Sequence, residues 1–305
     1  MARFEGLVRL NRLARIVPAV PWSHPASERS VERRVSQLGR VVVSVMPIIG
    51  CLQMPSAPSC GSEGTSAIIS GDRVTGLRWP NEPAGFTVLS DGPFHALMGK
   101  GWRMAQRRTT NGSGVFLTTD ATAPVLPSSV LQFTYEVGFP AGYEPGVAFY
   151  DPATPVKQTY FGFWWKPSNP WQPHPSGVNK IAFLFSAAGN IYIMMYFDGR
   201  YTIHVETQFP SDTRNLAPNV TTTPVVLGAW HRIEWFVKYS TTTTSRDGVA
   251  QWWLDGVLQG GYRDLQMPGD VGFTEYQLAP TWGGMQGTKI ERDCYWYEHA
   301  HISQP

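Results

Sequence analysis

Residues 230–258, WHRIEWFVKYSTTTTSRDGVAQWWLDGVL, carry the pattern that decides the fold. From Arg232 to Lys238 the side chains alternate. Ile233, Trp235 and Val237 fall on one face, and Arg232, Glu234, Phe236 and Lys238 on the other. Successive side chains leave a strand on opposite sides, so a period of two in β-branched and aromatic residues marks a half-buried antiparallel strand. A polar loop follows, then a second run of the same kind closed by Asp255-Gly256. Both central positions of a tight hairpin turn take positive φ, which Asp-Gly accepts readily. The stretch predicts paired strands of a curved β-sandwich.

The remaining sequence agrees. With 30 Gly, 25 Pro and 13% aromatic residues in 305, the composition predicts many short strands and turns rather than a helical bundle. Strand-like runs occur at 85–89, 114–118, 130–137, 146–150, 160–166, 180–186, 191–197, 201–208, 231–238, 249–254 and 294–302. Between them lie turn clusters such as Ser168-Asn169-Pro170, Ala188-Gly189-Asn190 and Asp198-Gly199. A chain of this length can bury one large core, and all-β sandwiches of this size commonly form one domain.

The net charge of +2 hides an asymmetry. Residues 1–40 hold eight Arg and three Glu, whereas residues 41–305 hold 17 basic and 20 acidic side chains. The body is mildly acidic and lacks the electrostatic footprint of a nucleic-acid binder, so no nucleic-acid partner is expected. Arg33, Arg34 and Arg40 precede the apolar run Val41-Val42-Val43-Ser44-Val45-Met46-Pro47-Ile48-Ile49-Gly50, followed by Cys51. These are the parts of a secretory signal, and the run is too short to span a bilayer. Ile-Ile-Gly-Cys also resembles a bacterial lipobox, which would make Cys51 the lipidated first residue of the mature chain. A leader with a chance apolar patch is the competing reading. The expected organisation is a leader at 1–50, a Pro-, Ser- and Gly-rich tether at 51–70 and a sandwich domain at 71–305. Expected localisation is outside the cytoplasm, with a membrane contact only through the lipid.

The Trp-His-Arg-Ile strand, the loop, the Trp-Leu-Asp-Gly hairpin and the closing run Cys294-Tyr295-Trp296-Tyr297-Glu298-His299-Ala300-His301-Ile302 together resemble the concanavalin A-like lectin/glucanase jelly rolls. The likeness is greatest to their bacterial polysaccharide-lyase and laminin-G-like branches. It implies an all-β antiparallel sandwich acting as a monomer, with a polysaccharide as partner on its concave sheet. First and last strands usually lie close in a jelly roll, so Cys60 and Cys294 either form a disulfide or stay as two unpaired thiols. No cofactor is expected. The superfamily often holds a structural calcium ion, but Asp247, Asp255 and Asp270 match no defined calcium loop.

Residues 201–208, YTIHVETQ, are the strongest candidate for chemistry. Alternation puts Thr202, His204, Glu206 and Gln208 on one face and Tyr201, Ile203, Val205 and Thr207 on the other. The polar row either lines a glycan groove or is an ordinary solvated face. Residues 160–180, YFGFWWKPSNPWQPHPSGVNK, set Phe161, Phe163 and Trp165 against Gly162, Trp164 and Lys166. Flat aromatic faces beside polar groups suit sugar rings, which nominates Trp164, Lys166, Trp171 and Trp282 together with Glu206 for substrate binding. The alternative for the proline-rich loop is a Trp packed onto the sandwich edge.

The lyase branch implies a second set. A basic or amide group neutralises the uronate carboxylate while a Tyr, His or Lys takes the C5 proton, because that proton is acidic only where enolate charge is stabilised. Lys180 and Gln208 would neutralise charge, and Tyr196 or His204 would act as base. Tyr192, Met194 and Tyr196 share a face that reads equally as core. A Glu-x-Asp-x-x-Glu glucanase motif is missing from the sequence, which argues against retaining hydrolysis. His299 and His301 share an alternation face with Tyr295 and Tyr297. With no third ligand nearby they read as solvated rather than metal-binding. The first expectation is an extracytoplasmic polysaccharide-binding protein. The alternative is a polysaccharide lyase acting by β-elimination on a uronate polymer, and the third reading is an adhesion module.

Overall fold

In a computed structural model, residue 60 and residues 79–107, 112–125 and 129–305 are described. The leader, Cys51 and most of the tether lie outside them. The strands are β1 (Thr87–Gly92), β2 (Trp102–Gln106), β3 (Gly114–Thr119), β4 (Ser129–Tyr135), β5 (Gly146–Tyr150), β6 (Gln158–Pro167), β7 (Val178–Ser186), β8 (Gly189–Phe197), β9 (Tyr201–Phe209), β10 (Asp212–Leu216), β11 (His231–Lys238), β12 (Gly248–Leu254), β13 (Val257–Leu265), β14 (Glu275–Leu278) and β15 (Asp293–Gln304), and most arise where the sequence alternates with a period of two. One helical turn, α1 (Phe94–Leu97), interrupts them.

Two antiparallel sheets result. One runs β13-β12-β11-β6-β15-β4-β3, with β1 also paired to β15; the other runs β10-β9-β8-β7-β14-β5-β2. Between them Phe161, Phe163 and Trp165 of β6 and Ile233, Trp235 and Val237 of β11 meet Ile191, Ile193 and Met195 of β8 and Ile203 and Val205 of β9. Each such side chain contributes about 1.5–3 kcal/mol by leaving water, so this layer dominates the stabilisation of the sandwich. The hairpin turn follows the expected chemistry. Asp255 and Gly256 have φ of 54° and 83°, and Leu254 pairs with Val257. The Asp255 carboxylate accepts from His231 Nδ1 at 2.7 Å and from the Arg232 amide at 2.8 Å, tying the turn to β11.

Four strands fall outside the expected runs: β2, β10, β13 and β14. The first three are sheet edges, where polar residues such as those of DTRNL blunt further pairing and erase the alternation. In β13, Gly260 and Gly261 interrupt the pattern, and a Cβ at Gly260 would stand 2.1 Å from the Trp252 ring. β14 has only four residues.

The closing strand corrects one expectation. Pairing of β15 with β6 shifts register between Glu298 and Ala300, and His299 takes φ of 52°. That bulge reverses the alternation. Tyr295, Tyr297, Ala300 and Ile302 therefore enter the core, while His301 turns to the opposite face beneath Trp79. Neither histidine is solvated. The Asp91 carboxylate binds His299 Nε2 at 2.9 Å and His301 Nδ1 at 3.0 Å. Cys60 is disulfide-bonded to Cys294, with Cα atoms 6.0 Å apart.

Candidate functional site

Because Ile191, Ile193 and Met195 point inward, Asn190, Tyr192, Met194 and Tyr196 occupy the outer face of β8. The same alternation puts Thr202, His204, Glu206 and Gln208 on that face of β9. On β7 a register shift between Lys180 and Ala182 leaves Lys180, Phe183 and Phe185 outward. Cross-strand pairing then assembles three rows. Val178, Tyr196 and Thr202 form the first, and Lys180, Met194 and His204 the second. The third spans all seven strands as Arg103, Phe149, Gln277, Phe183, Tyr192, Glu206 and Asn215.

The groups in these rows are coupled. The His204 ring stacks on Tyr196 with centroids 4.6 Å apart, and its Nδ1 and Nε2 lie 2.9 Å from Asn215 Oδ1 and 3.1 Å from Thr202 Oγ1. Since an amide oxygen only accepts, Nδ1 carries the proton and Nε2 keeps a lone pair. Burial pulls the imidazole below its usual range, against the opposing influence of Asn215 and Asp198. The Lys180 amine lies 5.0 Å from the Tyr192 ring centroid and 5.7 Å from that of Phe183. Among the described residues no carboxylate comes within ion-pairing distance of it. Burial lowers its proton affinity, with Glu206 and Glu144 opposing. Tyr192 is pushed above the usual phenol range by burial and by its hydrogen bond to Glu206. Gln208 Nε2 donates to Glu206 Oε1 at 3.1 Å.

Lys180, Tyr196, His204, Glu206 and Gln208 are therefore brought together. The four other nominated residues are not brought to that face. Trp164 and Lys166 project from the opposite sheet. Trp164 is 1% exposed, packed with Trp79, Tyr160 and Trp230. Lys166 is ion-paired to Asp120 and lies over the Trp230 and Trp296 rings at 5.1 and 4.6 Å. Trp171 is stacked on Tyr295 at 4.0 Å and donates through Nε1 to Asn179. Trp282 is 1% exposed and donates to the Gln172 carbonyl. Lys289 fills the space between these two indoles, 4.1 Å from the Trp171 centroid and 4.9 Å from that of Trp282. These tryptophans hold loops onto the sandwich. Phe185, Asn215, Glu275 and Gln277 of the outer face were not anticipated, since Asn215, Glu275 and Gln277 sit on the two short strands without readable alternation. Among the described residues no cluster of three or more His, Cys, Asp or Glu is arranged to hold a metal ion.

The sequence matches no protein-family model, and no curated protein is detectably similar to it. Solved structures do share the architecture. An alginate lyase variant in complex with an alginate tetrasaccharide is 12% identical with a TM-score of 0.53, covering 71% of this chain and 93% of that one. An alginate lyase from Chlorella virus is 15% identical with a TM-score of 0.49, covering 72% and 100%. An endo-β-1,4-glucuronan lyase from the fungus Trichoderma reesei is 16% identical with a TM-score of 0.47, covering 67% and 95%. The chain has the concanavalin A-like jelly-roll fold. At 12% identity the likeness to the alginate lyase variant shows the fold alone.

Proposed function

We infer that the outer face of the seven-stranded sheet binds an acidic polysaccharide and that its chemistry is β-elimination at a uronate. One observation carries this reading. Lys180, an amine with no carboxylate in ion-pairing distance among the described residues, shares its cross-strand row with a neutral-leaning imidazole, His204, which is stacked on the phenol of Tyr196. Lys180 would hold the uronate carboxylate and stabilise the enolate. His204 Nε2 would take the C5 proton. The electron pair of that C–H bond forms the C4–C5 double bond, the C4–O4 bond breaks, and the Tyr196 hydroxyl returns a proton to the leaving oxygen. Gln208, bonded to Glu206, is a contact for hydroxyls rather than a neutraliser.

Binding without cleavage is the second reading. It is favoured by His204 being 7% exposed with both ring nitrogens already hydrogen-bonded. Incubation with alginate, glucuronan and glycosaminoglycans separates the two. A lyase raises near-ultraviolet absorbance as the unsaturated ends form, and a binder retards the protein in polysaccharide gels without product. In a lyase, His204→Ala and Tyr196→Phe each lower kcat by about 10²–10⁴-fold while retardation persists. Absence of both product and retardation for every acidic polymer rejects the reading. The Cys60–Cys294 disulfide supports an oxidising, extracytoplasmic location. Lipid attachment at Cys51 is proposed alongside it, and Cys51→Ser should release the protein from the membrane fraction.

A further inference from the structure

We propose that the polysaccharide alternates a uronate with an uncharged sugar, which deepens and rests on the reading above. Next to the Lys180 row lies a second platform of a different character. Phe185 pairs with Glu275 on one side and Asn190 on the other, and Phe183 pairs with Gln277 and Tyr192. Tyr192 in turn pairs with Glu206. The two phenylalanines stack at 5.2 Å with planes 13° apart; Phe183 is buried in a cluster with Tyr192 and Met194, and the half-buried Phe185 is the ring left to meet a sugar. One pleat repeat, roughly 7 Å, separates this platform from the Lys180 row, so adjoining sugars of one chain would meet both.

A carboxylate stands on each side of the platform. Glu206 of β9 stands across from Tyr192 and accepts from Gln208, and Glu275 of β14 accepts from Gln277. A flat ring flanked by carboxylates recognises an uncharged sugar: the ring packs on the apolar sugar face, and the carboxylates accept its hydroxyls. The amides of Asn190 and Gln208 add donors of the kind that meet an N-acetyl group. A second uronate would instead bring its carboxylate against Glu206 and Glu275. Arg103, at the far edge of the same sheet, is already ion-paired to Asp151 and gives no relief. Repulsion of the wrong neighbour is how such a site discriminates.

Three polymers share glucuronate and differ in its neighbour. Hyaluronan and heparosan alternate it with N-acetylglucosamine, whereas glucuronan contains glucuronate alone. Affinity gels and the absorbance assay should show the wild-type chain favouring an alternating polymer over glucuronan by about tenfold or more at low salt, with the preference shrinking as salt is added. The double variant Glu206→Gln, Glu275→Gln should bring that ratio close to one. Equal handling of glucuronan by the wild type, or an unchanged ratio in a variant with wild-type circular dichroism, overturns the inference and leaves the acidic-polysaccharide reading standing. Failure to bind or cut these three and every other acidic polymer, alginate included, rejects that reading as well, whereas action on alginate alone overturns only the inference. Should the double variant not fold, Glu275→Gln alone is read by the same ratio.

Discussion

Lys180 and Lys166 show how little a residue type says before its surroundings are known. Each is a lysine on the outward face of a β-strand. Lys166 is neutralised by Asp120 between two indoles, whereas Lys180 lies against the Tyr192 and Phe183 rings with no carboxylate in ion-pairing distance among the described residues. Burial lowers the Lys180 proton affinity, so its cation is lost as pH rises through a value below that of an ordinary lysine. Affinity for an acidic polysaccharide should therefore fall on the alkaline side. Lys180→Arg should carry retardation to higher pH, since a guanidinium keeps its charge there, and Lys180→Ala should abolish it. Titrating gel retardation against pH for the three proteins checks this; coincident curves for wild type and Lys180→Arg would contradict it. Trp171 belongs to the opposite case. It stacks on Tyr295 and covers Lys289, whose proton affinity is pulled down to about 8 by burial despite Asp293. Trp171→Ala should destabilise the fold by about 3–5 kcal/mol, read as a lower denaturation midpoint, with no specific effect on the sugar site.

Among the elements, β15 teaches most. Its first half is readable from alternation, but the bulge at His299 inverts its second half, and one residue in positive φ leaves no signal in a one-dimensional pattern. The inversion has a use. It delivers His301 to Asp91 of β1 and to Glu82, whose Oε1 lies 2.9 Å from His301 Nε2, and so straps the segment beginning at Trp79 across β15. Burial disfavours the charged ring, but the hydrogen bonds to Asp91 and Glu82 outweigh it and hold the imidazolium above its usual range. A raised value in the folded state means stabilisation that is complete below the unfolded value of about 6.5 and is lost as pH rises through the folded one. Melting temperature should thus decline across that window on the alkaline side of about pH 6.5, and the decline should flatten in His301→Phe. A pH profile identical in both proteins would remove the strap from the explanation. Gly162 on β6 belongs to the same contact, because a Cβ there would stand 2.4 Å from the Trp79 ring. Gly162→Ala should cost about 1–3 kcal/mol in chemical denaturation by forcing Trp79 off the sheet.

For the whole molecule, the disulfide spans 234 residues of sequence and joins the chain just ahead of the described sandwich to its last strand. Closing so long a loop restricts the unfolded chain, and reduction should destabilise the protein by about 2–5 kcal/mol, seen as a drop in melting temperature with reductant that is absent in Cys60→Ser. Period two is a local property, so the sandwich, its central strands and the polar side of β9 were legible in the sequence. Alternation states which residues leave a sheet on the same side; it does not state what lies beyond that side. Beyond β6 and β11 the chain folds Trp79 and its neighbours over the surface and buries Trp164, while beyond β7, β8 and β9 Lys180, Tyr196 and Glu206 keep part of their surface in water. The sequence alone determined the sheets and their two-sidedness. Tertiary structure alone decided which outward face was roofed by Trp79 and its neighbours, and which kept Lys180, Tyr196 and Glu206 partly in water beside a small buried cluster of Phe183, Tyr192 and Met194, because that depends on contacts between segments far apart in the chain.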